Sequence, residues 1–362
     1  MKEAVFLRLV EEIKSDNPEK QEDAANKICG IKDRSLLPLI NRLLFEDENP
    51  LVRRVMLWTL HNYPRDLAYK EYLPYLASDD FGVREAAQRL FIDGGKAAVD
   101  VLVSAVQEGD AAGQFSAVEA LGQFRDSAAV KPLIFAAQLP DAEIREIAVM
   151  SLGIYPDDEV TSALFAALDD TPAVRLAALS GLKDRTLTKE NAAKVASYLS
   201  DADEEIRAAC VYVLDAHTPD SAANDASARV RRAFASVTLS EEVLTRLCGD
   251  ADSSVRTAAA DALGKQKAPR EDVLIPLLKD EVPGVRRAAA AALVCSKKPE
   301  TVQALIDVLN DPKPGIRLAA ANSLGEIGGT DAIAALRSAM QVKNPILAGM
   351  IKNALEKAEK KN

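Results

Sequence analysis

Histidine is nearly absent: His61 and His217 are the only two in a chain of 362 residues. Neither lies in a His-Glu-x-x-His arrangement or beside a cysteine pair, so no ligand set for a zinc centre is legible and both read as surface residues at the ends of helices. Cysteine is scarce as well. Cys29, Cys210, Cys248 and Cys295 are far apart with no Cys-x-x-Cys spacing, which argues against a zinc site or a disulfide framework and predicts buried, reduced thiols. No apolar run approaches the roughly 18 residues that a membrane-spanning helix needs, so the expectation is a soluble, cytoplasmic protein with no membrane partner. Aromatic residues make up only 5%, with Trp58 the single tryptophan, and this poverty disfavours a sheet-rich core. Basic residues are outnumbered 45 to 55, for a net charge of −10, and residues 101–200 alone carry 8 basic against 14 acidic. A chain so acidic is poorly suited to neutralising phosphates, so no nucleic-acid partner is expected. The stretch after residue 300 is slightly positive, 8 against 6, and Lys357, Lys360 and Lys361 read as a solvated helix end.

What the chain has in abundance is alanine, leucine and repetition. An Ile-Arg or Val-Arg pair recurs at Val52-Arg53, Val83-Arg84, Ile144-Arg145, Val174-Arg175, Ile206-Arg207, Val230-Arg231, Val255-Arg256, Val285-Arg286 and Ile316-Arg317. Gln21, Gln114 and Ala348 hold the arginine position in three weaker copies. The period is 30 to 32 residues except around Arg231, and a fixed period in that range points to stacked repeats. Within a copy, small or apolar residues fall at the Val position and three, four, seven and eight residues later, as in Val174, Ala177, Ala178, Gly181 and Leu182, which is one stripe of a helix. Pro18, Pro50, Pro172, Pro283, Pro314 and Pro345 stand three residues ahead of the arginine position and predict a helix start, where a missing N–H costs nothing. A short amphipathic run upstream, such as residues 302–309, supplies a first helix. Each copy is therefore a helix hairpin too small to bury its own apolar face, and stacking buries it.

Six residues before the arginine stands an aspartate in seven of nine copies: Asp47, Asp169, Asp201, Asp225, Asp250, Asp280 and Asp311. In the turn between the helices such a carboxylate accepts backbone N–H bonds and meets an arginine of its own or an adjacent copy. The expected result is a structural ladder that sets repeat register, formed by Asp47, Arg53, Asp169, Arg175, Asp201, Arg207, Asp250, Arg256, Asp280, Arg286, Asp311 and Arg317. Matched carboxylates make this a better reading than a phosphate-binding stripe.

The Asp-(x)5-Arg frame, the proline at the second helix and endings such as Leu263-Gly264 and Leu324-Gly325-Glu326-Ile327-Gly328-Gly329 resemble HEAT repeats of the short kind also found in phycobilisome bilin lyases. That resemblance covers essentially the whole chain and implies an all-α fold, an α-solenoid forming a right-handed superhelix of about twelve hairpins. One solenoid is expected over 1–362. The intervals on either side of Arg231, 24 and 25 residues, leave no room for a full first helix in His217–Asp225. A truncated repeat at 216–239 is therefore expected, with subsegments 1–215 and 240–362 on either side.

No converging catalytic set is present. HEAT-like hydroxylases that modify a translation factor carry several His-Glu iron-binding motifs, and this chain has none. Asp93-Gly94-Gly95-Lys96 and Gly325–Gly329 lack the phosphate-loop pattern and a preceding strand, so their glycines read as turn residues. No cofactor, metal or catalytic residue is assigned.

In solenoids of the resembled kind the second helices line the concave surface, and helical geometry puts solvent-facing positions two, five, six and nine residues after the Val position. The second and sixth offsets select Arg54 and Trp58, Glu85 and Arg89, Phe115 and Glu119, Glu146 and Met150, Leu176 and Ser180, Ala208 and Tyr212 in units two to seven. In units nine to eleven they select Thr257 and Asp261, Arg287 and Ala291, Leu318 and Asn322, mostly small or polar. Aromatic, methionine and arginine side chains favour interface centres, so a partner protein or peptide is expected on Arg54, Trp58, Arg89, Phe115, Met150, Leu176 and Tyr212. The expected role is a non-enzymatic interaction scaffold. The alternatives are a bilin-lyase-like subunit or chromophore-attachment chaperone, which the resemblance implies, and a HEAT-like DNA-binding or glycosylase protein, against which the acidic groove positions speak.

Overall fold

A computed structural model describes residues 2–64, 67–266, 270–341 and 345–361, and among them there are helices and turns but no strands. Its contacts divide the chain into two units, Met1–Leu182 and Lys183–Asn362. Each unit is an all-α solenoid of six helix hairpins.

In the first unit the second helices of the hairpins are Pro18–Cys29, Pro50–Leu60, Phe81–Gly94, Ala111–Gln123, Ala142–Leu152 and Pro172–Leu182. In the second they are Glu204–Leu214, Ala228–Val237, Ser253–Gly264, Pro283–Ala292, Pro314–Ile327 and Pro345–Lys360. All six repeat prolines open their helix at its first residue, where the ring's fixed φ is already helical. Asn17 and Asn49 also cap two of these helices, and elsewhere an aspartate, serine or threonine side chain caps the start: Asp141 accepts from Glu143 N–H at 2.8 Å, and Asp252 from Ser254 N–H at 2.8 Å. Such caps satisfy donors that the helix itself leaves free.

Two of the first helices are not α-helical. Tyr69–Ala77, which contains Pro74, and Asp220–Asn224 are 3-10 segments. The latter is the shortened stretch ahead of Arg231, and it sits inside a buried apolar cluster running continuously from Ala208 to Ala358. The division of the chain's contacts falls at Leu182/Lys183 and not within 216–239.

The arginines connect consecutive hairpins. Arg207 reaches Asp225 with Nε and Nη2, both at 2.9 Å; Arg231 reaches Asp250 at 2.7 and 2.8 Å; Arg256 reaches Asp280 at 2.8 and 2.9 Å; and Arg286 reaches Asp311 at 2.7 and 3.3 Å. Each carboxylate thus belongs to the following hairpin. The same arginines turn Nη1 back to the carbonyl of their own hairpin's aspartate, at 2.8 Å from Arg207 to Asp201 and 2.9 Å from Arg256 to Asp250. Each aspartate also accepts the N–H two residues on, as Asp280 does from Val282 at 2.8 Å. In the first unit Arg145 makes the bidentate contact to Asp170, one residue beyond the Asp169 of the repeat frame, at 2.7 Å through both nitrogens. Asp47 instead meets Lys14 at 2.7 Å, while Arg53 Nε donates to the Asp47 carbonyl at 2.7 Å. At Arg317 the pattern stops: Nη1 reaches the Asp311 carbonyl at 2.8 Å, and Nε is buried with no partner among the described residues.

Hydrogen bonds from the arginines hold the Asp170, Asp225, Asp250 and Asp280 carboxyls below the usual carboxylate range. A folded-state pKa that is depressed contributes stability above the unfolded value of about 3.9, and that contribution is lost as pH falls through the folded value. Removing Asp280 strips a bidentate partner from Arg256 and a cap from Val282. Asp280→Ala is expected to cost about 2–4 kcal/mol in urea unfolding at pH 7. Asp280→Asn, which keeps an acceptor oxygen, should cost less and show a shallower loss of stability below about pH 4. Equal midpoints for wild type and Asp280→Ala would show that the rung carries no stability.

Candidate partner-binding surface

A second helix in the interior of a row has neighbours on three sides: its own first helix and the second helices before and after. That geometry narrows the free surface. Most residues five after the Val position, expected at the surface, are buried: Leu57, Val149 and Leu179 in the first unit and Val211, Ala260, Ala290 and Ala321 in the second are fully covered, while Gln88 is half-buried. Residues nine after it can lie where successive helices almost touch, whereas Lys183, Asp215 and Leu239 at the same offset fall beyond the last residue of their helices and are exposed. A Cβ on Gly153 would come within 3.0 Å of Gly181 Cα, and one on Gly264 within 2.6 Å of Ala292 Cα. The Leu-Gly endings of the repeat are thus close-approach positions at the ends of the second helices, Gly264 as the last residue of its helix and Gly153 as the residue that caps its own. Gly94 and Gly325 also lie inside helices, whereas Gly95, at φ +58°, and Gly328 and Gly329 are turn glycines. Ala208, at the second offset, is buried as well.

What remains free is a strip at the second and sixth offsets, about 40° apart around the helix. In the first unit Arg54, Glu85, Arg89 and Ser180 are exposed, Phe115, Glu119, Glu146 and Leu176 are half-buried, and Trp58 and Met150 keep 37% and 59% of their surface in solvent.

Trp58 is held by its neighbours. Its ring stacks on His61 at 4.9 Å between centroids and 20° between planes. His61 Nδ1 lies 2.9 Å from an Asp93 oxygen on the next second helix, and Arg89 Nε approaches the other oxygen at 3.5 Å. Nε2 of His61 is buried with no partner among the described residues, so His61 is a structural support and not the free surface residue expected from sequence. The stem of Arg54 runs over Gly82, where a Cβ would meet Arg54 Cδ at 2.8 Å. The absence of a side chain at Gly82 therefore lets this arginine lie along the strip.

Tyr212 belongs to the second unit, 37% exposed with the Lys183 ammonium 5.7 Å from its ring centroid. On this unit's second helices the small residues matter in a way sequence reasoning missed. Arg287, Ala291, Leu318, Asn322 and Lys357 line a depression of about 660 Å³, and Arg232, Thr257, Asp261 and Lys265 line another of about 380 Å³. Desolvation raises the Asp261 carboxyl above its ordinary pKa. The only signal for these depressions was the smallness of the residues at the strip positions, which is also the signal for helix packing.

Of the four thiols, Cys210 and Cys248 are buried and Cys29 half-buried, and burial pushes Cys248 up to about 12. Cys295 is exposed, contrary to the expectation of four buried thiols. It ends a short 3-10 turn, Leu293–Cys295, that directs it outward. Among the described residues no group of three or more His, Cys, Asp or Glu side chains is arranged to hold a metal ion, and no helix is long and apolar enough to cross a membrane.

A family model described as HEAT repeats matches residues 7–91, 99–183 and 271–355. A crystal structure of importin beta in an ammonium sulfate condition superposes with a TM-score of 0.65 at 14% identity, covering 98% of this chain and 61% of that one. A structure of Kap95p, whose binding is described as inducing the switch loops of RanGDP to adopt the GTP-bound conformation, superposes at 0.62 with 12% identity, covering 98% and 59%. This chain therefore spans about three-fifths of the length of each. At these identities the likeness is one of fold. No curated protein matches the chain by sequence.

The Trp58 support predicts a spectroscopic result. Because Trp58 is the only tryptophan, Asp93→Ala, which frees His61, is expected to shift its fluorescence to longer wavelength with far-ultraviolet circular dichroism unchanged. Identical emission spectra would mean that Trp58 is not held by this stack.

Proposed function

The chain belongs to the HEAT-repeat family, and from that premise we propose that it is a non-enzymatic scaffold that binds a partner protein on the exposed strip of its second helices. The observation that carries this reading is the presence of Trp58 and Met150 in solvent on the one helix face that repeat stacking leaves uncovered. Stacking needs no large apolar group there, and such residues at interface centres commonly supply most of the binding energy. Phe115 and Leu176 extend the apolar surface between and beyond them. Arg54 and Arg89, ordered by Gly82 and Asp93, are placed to receive acidic groups of the partner. In the second unit Tyr212 is a separate aromatic contact.

The Arg–Asp contacts act in this reading as register devices: they use their charges within the protein and leave none for phosphate. A bilin-lyase-like or chromophore-attaching role rests on the short repeat alone, and bilin absorbance retained by the purified protein would identify it.

The test compares wild type with Trp58→Ala and Met150→Ala as baits, followed by affinity measurement on each recovered protein after purification. Each substitution is expected to weaken binding by about tenfold or more, the effect of losing over 1.4 kcal/mol at an interface centre, with helicity and melting unchanged. Unaltered affinity for every recovered protein would remove the strip of the first unit as the binding surface.

A further inference from the structure

A separate cavity of about 850 Å³ opens in the first unit between the 3-10 segment Tyr69–Ala77, the helix Lys96–Glu108 and the start of Ala111–Gln123. None of the strip residues lines it. Its origin is local. Of the three tyrosines of the 3-10 segment, Tyr69 packs on Phe91, while Tyr72 and Tyr75 both reach backwards onto the helix Leu37–Glu46: Tyr72 donates to Asn41 Oδ1 at 3.0 Å, Tyr75 to the Leu44 carbonyl at 2.7 Å, and both rings lie against Phe45. The forward side of the segment is left with Leu73, Pro74 and Ala77, facing Val101, Ser104 and Ala105 of the next first helix. Two short-side-chain faces oppose each other, and a gap of ligand size remains between them.

The polar groups in the gap select a ligand. At its inner wall Ser116 is 7% exposed, and its hydroxyl has no hydrogen-bond partner among the described residues. A hydroxyl that opens into the cavity with no protein partner is free to bond a polar group of a ligand. At the mouth stand Asp100, Glu108 and Asp110 against the single cation Lys70. Asp110 caps the Gly113 N–H at 2.9 Å, whereas Asp100 and Glu108 make no ion pair among the described residues. An apolar body, one inner hydroxyl and two unengaged carboxylates at the rim are complementary to a molecule with a hydrophobic body and a cationic head.

We infer that this cavity binds a small organic cation, an ammonium or amidinium carried on an apolar group, with its body against Leu73, Val101 and Ala105 and its charge at one of the two rim carboxylates, Asp100 or Glu108, which stand about two turns apart on their helix. The site lies apart from the strip, so its occupant and the scaffold's partner are separate ligands.

The test uses the full-length chain and three probes of one shape: 4-phenylbutylamine, 4-phenylbutanol and 4-phenylbutyrate, followed by ligand-observed saturation-transfer NMR and titration. The amine is expected to bind saturably and about threefold to fivefold more tightly than the alcohol, the worth of one half-exposed charge contact, while the carboxylate fails to bind. Asp100→Asn with Glu108→Gln, both at exposed positions, should bring the amine to the level of the alcohol. Ala105→Trp, which fills the cavity, should abolish binding, and Trp58→Ala should leave it unchanged. Equal binding of all three probes, or amine binding that survives in both the charge variant and a folded Ala105→Trp protein, would overturn the assignment. Failure of the amine together with binding of a lysine-containing apolar peptide, lost in the same variants, would overturn it in favour of peptide docking.

Discussion

The rest of the structure depends on the guanidinium that bridges two turns. In each complete rung an arginine near the start of a second helix holds its own turn by a carbonyl and the next turn by a carboxylate, and that carboxylate in turn caps the backbone two residues on. One side chain therefore links the path of two successive chain reversals. The apolar contact between neighbouring helices is built mainly from alanine, leucine and valine, which tolerate small shifts along the helix axis. A bidentate planar contact does not, because moving one turn by an ångström separates both N–H···O pairs. Partial burial keeps these contacts from being screened as surface pairs are.

With turn spacing set in this way, the second helices come close, and glycine and alanine occupy the points of contact at Gly153 with Gly181 and Gly264 with Ala292. Close packing on both flanks consumes positions that an isolated amphipathic helix would present to water. The exposed face shrinks to the second and sixth offsets. This contraction is what gives Trp58 and Met150 their meaning: on a broad surface two exposed apolar residues are unremarkable, but on a narrow strip they are a large share of what a partner meets.

The first helices obey looser rules, and the cavity beside Tyr69–Ala77 is the result. A proline-containing 3-10 segment with Tyr72 and Tyr75 turned one way leaves the other way underfilled. The regular rungs also lapse nearby, since Ser78 stands where the next carboxylate would meet Arg53, and Arg84 turns to the Ser78 carbonyl. Irregularity in the turn and irregularity in first-helix packing thus fall in the same hairpin. In the second unit, by contrast, the shortened segment at Asp220–Asn224 keeps its Arg207–Asp225 and Arg231–Asp250 contacts and an unbroken core. The turn contacts survive the loss of most of a first helix because both partners lie at the beginning of the second.

By itself the sequence determined the hairpin repeat, the starts of the second helices and the residue types of the ladder. These are local matters, decided by a 30-residue period, proline geometry and an aspartate at constant distance from an arginine. Which aspartate each arginine meets was decided only by stacking: the partner of Arg256 is Asp280 of the following hairpin, 24 residues on, whereas the nearer Asp250 offers its carbonyl. Stacking also decided that Leu57 and Val149 face a neighbouring helix, since periodicity within one helix records an apolar side but not how many neighbours surround it. His61 was legible only as an isolated histidine, because its stack with Trp58 and its contact to Asp93 across 32 residues exist once two hairpins are in register. The cavity at Ser116 left no motif at all, for it is made by side chains pointing away from one another, and only the folded arrangement of three separate segments encloses that space.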